Sequence, residues 1–597
     1  MTRLFNDPAD FADEMIEGFV AANSAQVRRV TGGVVRSTAS TPGSVAVVIG
    51  GGSGHYPAFG GVVGQGLAHG AAMGNLFASP SAQQVHSVAT AANLGGGVLL
   101  TYGNYAGDVL NFTAAQDRLN SEGIETRTVV VTDDIASAPV AEKHKRRGIA
   151  GDLTVFKAAA AASEEGYPLD EVVRVATLAN ERTRSFGVAF TGCTLPGADA
   201  PLFTVPEGRM GVGIGIHGEP GIGETDVPTA AGLAELFVST LLAELPEGID
   251  APAGQRVAVI LNGLGSVKYE ELFVVYRRVA QLLEEAGATI VEPEVGELVT
   301  SFDMAGASLT LFWLGSEPGG ELERFWRAPA DTPAYRKGAV AIPDGSALMP
   351  DGSALMSVEP VETPDESTRE ASITDALPSS TDDSRAAAAV AAAALQAISD
   401  VIDENVDELG RIDAVAGDGD HGIGMQRGSR AAYAAAVELL VAGSGARSLL
   451  QRSGDAWADR AGGTSGALWG VALRAVGEAL GDTDAPTAAA VAAGVRGATT
   501  GILGFGAVVG DKTMVDALVP FADALEERVG AGQSLAEAWA AAADAATTAA
   551  AATADLLPKM GRARPHAEKS LGTPDAGAHS LALIVQRVAA VLKEQDN

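Results

Sequence analysis

The chain has 597 residues, of which 47% are hydrophobic and 19% charged, and it carries a formal net charge of −34. So acidic a surface repels phosphate backbones and anionic lipid, which excludes nucleic acid and the membrane as partners. Cys193 is the one cysteine, which excludes a disulfide scaffold or a thiolate zinc cluster and suits a reducing compartment.

The length suggests three to five folding units. The start, MTRLFNDPADFADEM, has acids where a signal peptide needs a basic and then an apolar region. No run of about 18 uncharged apolar residues occurs, so a cytoplasmic, globular protein is expected. Up to about residue 335, β-branched runs alternate with Gly-rich turns and amphipathic stretches. SVAVVIGGGSGH (44–55), GGVLLTYGNYAGD (96–108), TRTVVVTDD (126–134) and QRVAVILNGLGS (255–266) read as buried strands that open into loops at their C-terminal ends. That is where α/β folds place ligands. SAQQVHSVATAAN and YEELFVVYRRVAQLLEEAG carry helical spacing.

Residues 336–385 differ. They contain a tandem heptad, PDGSALM at 343–349 and again at 350–356, then a Ser/Thr/Pro-rich stretch with eight acids against one base, Arg369, over 357–384. Such a segment repels itself and reads as a flexible linker between domains at 1–335 and 386–597. From 386 onward Ala-rich helices are separated by Gly-rich loops, an all-α bundle whose small residues allow close packing.

Asp413, Asp418 and Asp420 lie in RIDAVAGDGDHGIGM, just after a helix. Carboxylates this close repel one another unless a hard cation neutralises them, and oxygen-only ligands favour Mg²⁺ or Ca²⁺ over zinc. A calcium EF-hand loop from Asp418 fails at its fifth, sixth and twelfth positions, Gly422, Ile423 and Ser429. Mg²⁺ with positions left for phosphates is the better reading, against an acidic surface turn. AGGTSGALWG (461–470) offers backbone N–H groups and the hydroxyls of Thr464 and Ser465, a phosphate cradle at a helix N-terminus. VVGDKTMVDAL (508–518) approaches a Walker A loop, but Asp511 separates Gly510 from Lys512, so ATP would need another scaffold. GGGSGHYPAFGG (50–61) is not a dinucleotide fingerprint, because His55 stands where the third glycine belongs. GVGIGIHGEPG (211–221) matches that pattern formally, yet glycines around an exposed His217 suit a ligand approaching closely, against a structural histidine. Asp108, at a strand's loop end in NYAGDVLNF, could accept a proton or cap a helix.

Together these segments resemble the dihydroxyacetone kinase family over essentially the whole chain outside the linker. GGGSGH at 50–55, GNYAGDVLNF at 103–112 and GVGIGIHGEPG at 211–221 match its substrate domain. D-x4-G-D-x-D-H-G at 413–422, G-G-x-S-G at 462–466, G-D-x-T-M-x-D at 510–516 and G-R…D-x-G-A at 561–578 match its nucleotide domain. The resemblance implies an α/β substrate domain of two subdomains and an eight-helix nucleotide barrel. His217 would join a short ketose as a covalent hemiaminal, selecting ketones over polyols, and Asp108 with His55 would deprotonate the attacking hydroxyl. Gly52, Ser53, Gly54 and Gly103 would complete the sugar site. Asp413, Asp418 and Asp420 would hold two Mg²⁺. His421, Gly422, Ile423, Gly424, Thr464, Ser465, Thr513, Met514, Arg562, Asp575, Ala576 and Gly577 would line the nucleotide site. The fused halves imply ATP as donor, and a homodimer in which one chain's nucleotide domain covers the other's substrate domain.

Two positions depart from the family. Its lysine five residues before the aspartate is Gly103, and the glutamate after GGGSGH is Tyr56. Both are expected beside the sugar, and an emptied lysine site would make room for a four-carbon ketose, erythrulose, with dihydroxyacetone as competitor. A non-catalytic regulatory relative is disfavoured by retention of the aspartates and His217. A flavin-nucleotide (FAD-AMP) cyclase side activity would use the same nucleotide domain.

Overall fold

The computed structural model describes residues 4–198, 200–217, 219, 221–338, 377–415, 419, 421–559 and 569–595. Asp418, Asp420 and Arg562 lie outside the described residues, as does most of the segment read as a linker.

The first half holds two sheets. One is built from β1 (Val27–Val30), β2 (Gly33–Arg36), β3 (Ala46–Ser53), β4 (Gly70–Leu76), β5 (Val98–Gly103) and β6 (Thr126–Val131), in the order β1-β2-β4-β3-β5-β6. Its β4, β3, β5 and β6 run parallel, and β3 is buried along its whole length, as an unbroken apolar run between two helical layers requires. Helices α1 (Phe11–Ala22), α2 (Ala82–Ala92), α3 (Ala106–Ser121), α4 (Asp152–Glu164) and α5 (Leu169–Glu181) cover it. α2 starts at a capping box in which Ser81 Oγ accepts from Gln84 N and Gln84 reaches back.

The second sheet comprises β7 (Thr183–Ala189), β8 (Arg209–Val212), β9 (Gly223–Asp226), β10 (Arg256–Gly263), β11 (Thr289–Ile290), β12 (Glu294–Gly296) and β13 (Gly306–Gly315). It is mixed: β13 runs antiparallel between β10 and β7, while β11 and β12 run parallel to β10. α6 (Ala230–Leu242) and α7 (Tyr269–Glu285) pack on it, and α8 (Glu321–Arg327) with the short pair β14 (Ala330–Asp331) and β15 (Arg336–Lys337) closes the region. β15 thus falls just inside the segment read as linker.

Among the described residues the second half contains eight α-helices and no strand: α9 (Asp382–Asp413), α10 (His421–Val441), α11 (Ala446–Ala461), α12 (Gly463–Leu480), α13 (Ala488–Leu503), α14 (Val515–Gly530), α15 (Leu535–Ala552) and α16 (Ala576–Gln595). The eight-helix, all-α expectation holds, with α9 beginning four residues before 386. Small residues permit the close packing. A β-carbon at Gly428 would come within 2.4 Å of the Trp457 ring, which stacks on Trp469 at 5.0 Å. On length and composition α9 is apolar enough to cross a membrane. Its Ala388, Ala392, Leu395, Ile398 and Ile402 are instead buried in the core of the helical domain.

The two halves meet within one chain. Gly463 N–H donates to Ser79 O (3.2 Å), Ser81 Oγ to Asp459 (2.8 Å), Arg460 to Asp13 (3.2 Å) and Arg427 to Pro8 O (3.2 Å).

Candidate active site

The loop after β3 turns at Gly54 (φ +105°), where a β-carbon would strike the rings of Phe302 (2.5 Å) and Phe77 (2.9 Å). Only glycine allows that turn, and it delivers His55 to the second sheet. His55 Nδ1 donates to Thr300 O at 2.7 Å, and its Nε2 lies 3.0 Å from His217 Nε2. His217 Nδ1 faces Glu219 Oε1 at 3.3 Å, and its backbone N–H donates to Glu219 Oε2 at 3.0 Å. Both Nδ1 atoms therefore carry protons, because their partners only accept. One further proton must bridge the two Nε2 atoms. The histidine pair then holds a single positive charge opposite Glu219.

Glu219 is itself anchored. Burial alone would raise its carboxyl, but the Arg147 guanidinium (3.6 Å) and the His217 contacts outweigh burial and hold it well below the carboxylate range. Arg147 is pinned by the buried Asp134 at 2.7 Å. Gly215 makes room for this pair, since its β-carbon would lie 2.5 Å from Glu219 Oε2. Here the structure corrects the sequence reading twice. The His217 side chain is only 8% exposed, and the glycine two residues before it admits a carboxylate rather than a ligand.

Aromatic rings fix the imidazoles. Phe77 stacks on His55 at 4.8 Å, while Phe77 and Tyr105 meet His217 edge-on at 5.3 and 4.5 Å. Tyr105 Oη donates to Gly148 O at 3.0 Å. Three residues on, Asp108 lies buried in the first turn of α3, whose N-cap is Tyr105, so Asp108 does not cap the helix. Its charge is felt by Tyr102 and by Asp152. Ser53 Oγ donates to Gly74 O (2.6 Å), and the carbonyls of Ser53 and Gly54 accept from Phe77 N–H (2.9 Å) and Phe302 N–H (3.0 Å).

The two departures differ in their surroundings. Tyr56 packs edge-on against Phe19 of α1 at 6.0 Å. Gly103 opens no void. A β-carbon there would meet Gly148 O (3.2 Å), the Tyr105 ring (3.2 Å) and Asp152 Oδ2 (3.3 Å).

The nucleotide candidates gather at one end of the helical domain, where the N-termini of α10, α12, α14 and α16 converge. His421 Nε2 lies 3.0 Å from Ser580 Oγ, and its Nδ1 lies 3.3 Å from Ser465 Oγ, tying α10, α16 and α12. A β-carbon on Gly577 would stand 3.3 Å from Met514, which brings the Thr513–Met514 turn against Asp575–Gly577. Thr513 N–H and Gly510 N–H both donate to Asp516, at 2.8 and 2.5 Å. Lys512, the residue that suggested a Walker loop, points elsewhere: its Nζ donates to Leu556 O (3.1 Å) and Ser570 O (2.7 Å). Asp575 accepts from Ala578 N at 2.8 Å, and burial, reinforced by Asp413 and Asp516, pushes its carboxyl up to about 7. Gly422 lies on the α9–α10 contact, where its β-carbon would come 2.1 Å from Val406 O, and Ile423 is exposed. Gly424 and Ala576 lie in the first turns of α10 and α16. Asp413 ends α9 and accepts from Gly419 N at 2.9 Å, so its carboxylate stands at the loop that carries the other two aspartates of the motif. Four positive helix ends and an oxygen-only ligand suit a triphosphate with a hard cation.

The two clusters adjoin. A β-carbon at Gly107, next to Asp108, would lie 3.5 Å from Thr464 Oγ1 and 3.6 Å from Thr464 N. Sequence reasoning found His55, His217, Asp108 and Thr464 in their motifs. It missed Phe77, Arg147, Asp134 and Asp152, which carry no local pattern and reach the site only through the sheet.

Comparison with known proteins bears on the same residues. Residues 17–334 match the Dak1 domain model and residues 415–590 the DAK2 domain model. The chain is 63% identical to the L-erythrulose kinase of Pectobacterium atrosepticum, over 99% of this chain and 97% of that one. It is 58% identical to the D-erythrulose kinase of Mycolicibacterium smegmatis, over 99% and 98%. Among solved structures, the dihydroxyacetone kinase from C. freundii in complex with AMP-PNP and Mg²⁺ aligns with a TM-score of 0.51 and 28% identity, covering 99% of each chain.

Proposed function

The chain belongs to the dihydroxyacetone kinase family, with Dak1 and DAK2 domains in one polypeptide, and on that premise we propose that it phosphorylates erythrulose at a terminal hydroxyl with ATP. The observation that carries this reading is the junction at Gly107, where the N-terminus of α12 comes against the residue next to Asp108 in the half of the chain that holds the paired histidines. The two erythrulose kinases at 63% and 58% identity favour the tetrulose over dihydroxyacetone.

His217 Nε2 adds to the ketose carbonyl carbon as the carbonyl π bond breaks, and the proton between the two Nε2 atoms passes to the carbonyl oxygen. The product is a hemiaminal whose ring keeps the positive charge opposite Glu219, so no charge is created or lost at the site. A polyol has no carbonyl and cannot be held this way. Asp108 takes the proton of the terminal hydroxyl as its oxygen attacks the γ-phosphorus and the bond to ADP breaks. Asp413, Asp418 and Asp420 would hold two Mg²⁺, which neutralise triphosphate charge when bound. His421, Thr464, Ser465, Thr513, Met514, Arg562 and Asp575 would position the nucleotide. Phosphoryl transfer depends mainly on alignment and charge neutralisation, which converging helix ends supply. A homodimer is part of the proposal, to be read from the mass in solution.

The test is ATP consumption with both erythrulose enantiomers, dihydroxyacetone and glycerol, alongside intact mass. Turnover with ketoses but not glycerol, and an adduct lost in His217→Ala, are expected. With EDTA the adduct should persist while transfer stops. Turnover of glycerol, or full activity in His217→Ala, refutes the reading.

A further inference from the structure

Asp152 opens α4 and is 1% exposed, yet neither of its carboxyl oxygens has a hydrogen-bond partner among the described residues. Buried polar groups are almost always paired, so an orphaned acid calls for an explanation. Its position supplies one. Oδ2 lies 3.3 Å from where a side chain at Gly103 would begin, at the place where the family pattern has a lysine. Oδ1 lies 2.6 Å from the corresponding point on Gly148. Two glycine backbones thus line the carboxyl on that side and offer it no side chain to pair with. The remaining wall is the edge of Tyr105, the ring that touches His217 at 4.5 Å. Asp108 is near enough for its charge to act on Asp152.

We propose that Asp152 is a specificity-determining residue that hydrogen-bonds the carbinol which a tetrulose has and dihydroxyacetone lacks, reached past the edge of Tyr105 over Gly103. The inference rests on the ketose-kinase reading and deepens it. Burial, with Asp133 and Asp108 nearby, pushes this carboxyl well above the usual range, so it keeps a proton and can both donate and accept. A carbinol likewise donates and accepts, and one such group satisfies both needs. A site that holds buried polar groups for a hydroxyl disfavours the analogue without it, since they then stay unpaired. The same geometry ties selectivity for the longer sugar to Gly103 without an open cavity: where the family pattern has a lysine, a buried acid is left with no side-chain partner.

The experiment compares kcat/KM for erythrulose and dihydroxyacetone in wild type, Asp152→Leu and Asp152→Asn. Leucine keeps the branched shape and deletes both hydrogen-bonding groups, whereas the amide still donates and accepts. The tetrulose-to-triose ratio should fall on the order of 30-fold or more in Asp152→Leu, chiefly through KM, and stay within about threefold in Asp152→Asn. If Asp152→Leu does not fold, Asp152→Ala is read in its place. Equal losses on both ketoses, an unchanged ratio, or Asp152→Asn behaving as Asp152→Leu overturns the proposal. A wild type that turns over dihydroxyacetone but no tetrulose also overturns it while leaving the kinase reading intact. Inertness toward every ketose defeats that reading instead.

Discussion

Replacing Gly107 with valine tests whether the contact between the halves is the geometry that transfers phosphate. The first added carbon stands 3.2 Å from Ser79 Cβ and 3.5 Å from Thr464 Oγ1, already at or inside ordinary contact. Valine's methyl carbons reach about 1.5 Å further, while carbon needs roughly 3.5–4.0 Å to its neighbours. The N-terminus of α12 must therefore retreat by about 1 Å or more from Asp108. A displacement of that size costs on the order of 10²-fold in a positioned reaction. The assay is single-turnover transfer at saturating ATP and Mg²⁺, with the His217 adduct followed by intact mass. Transfer should fall by about two orders of magnitude while the adduct forms as before, because His55, His217 and Glu219 all lie in the first half. Gly107→Ala, which asks Ser79 to give only a few tenths of an ångström, should lose no more than a few-fold. Transfer within threefold of wild type in Gly107→Val would show that α12 does not deliver the phosphate here.

Two further predictions concern buried charge. Glu219→Gln removes the counter-charge from the histidine pair and leaves Arg147 with Asp134 alone, so the adduct should weaken by 10- to 100-fold, about 1.5–3 kcal/mol for a charge-assisted contact; adduct yield against ketose concentration measures it, and an unchanged titration refutes the role. Asp152 should make the fold less stable as pH rises. Its folded pKa is raised, so between the unfolded value near 3.9 and the folded one the native state binds the extra proton and stability falls with each step upward in pH. Asp133, Asp108 and the Tyr105 hydroxyl are the titratable groups that face it. Asp152→Asn should flatten the decline in Tm between pH 5 and 8, and parallel curves for the two proteins would remove the argument.

Much was legible in the order of residues. Apolar runs marked β3, β5 and β10, because a strand buried on both faces has little polar side to show, while β6 was marked by its three consecutive valines. Alanine-rich periodicity marked the helical half, and loops entering helices at Gly463 and Val515 marked the phosphate end. His55, His217, Asp108, Thr464 and Asp413 each carry a local motif, so their chemistry could be read without a fold. Sequence could not reveal what no neighbour in the chain encodes. Running β13 antiparallel between β10 and β7, and setting the second sheet against the first, brings Thr300 to His55, whose Nε2 meets that of His217 from across the fold. Arg147 and Asp134 are joined to Glu219 across about seventy residues or more, so no spacing rule announces them. The glycine at 103 looked like lost bulk, and only the packing of Gly148, Tyr105 and Asp152 around it shows a buried, unpartnered acid in place of an empty space. Motifs record which groups the chemistry needs; burial and distance, set by the whole fold, decide which of them are charged and what they meet.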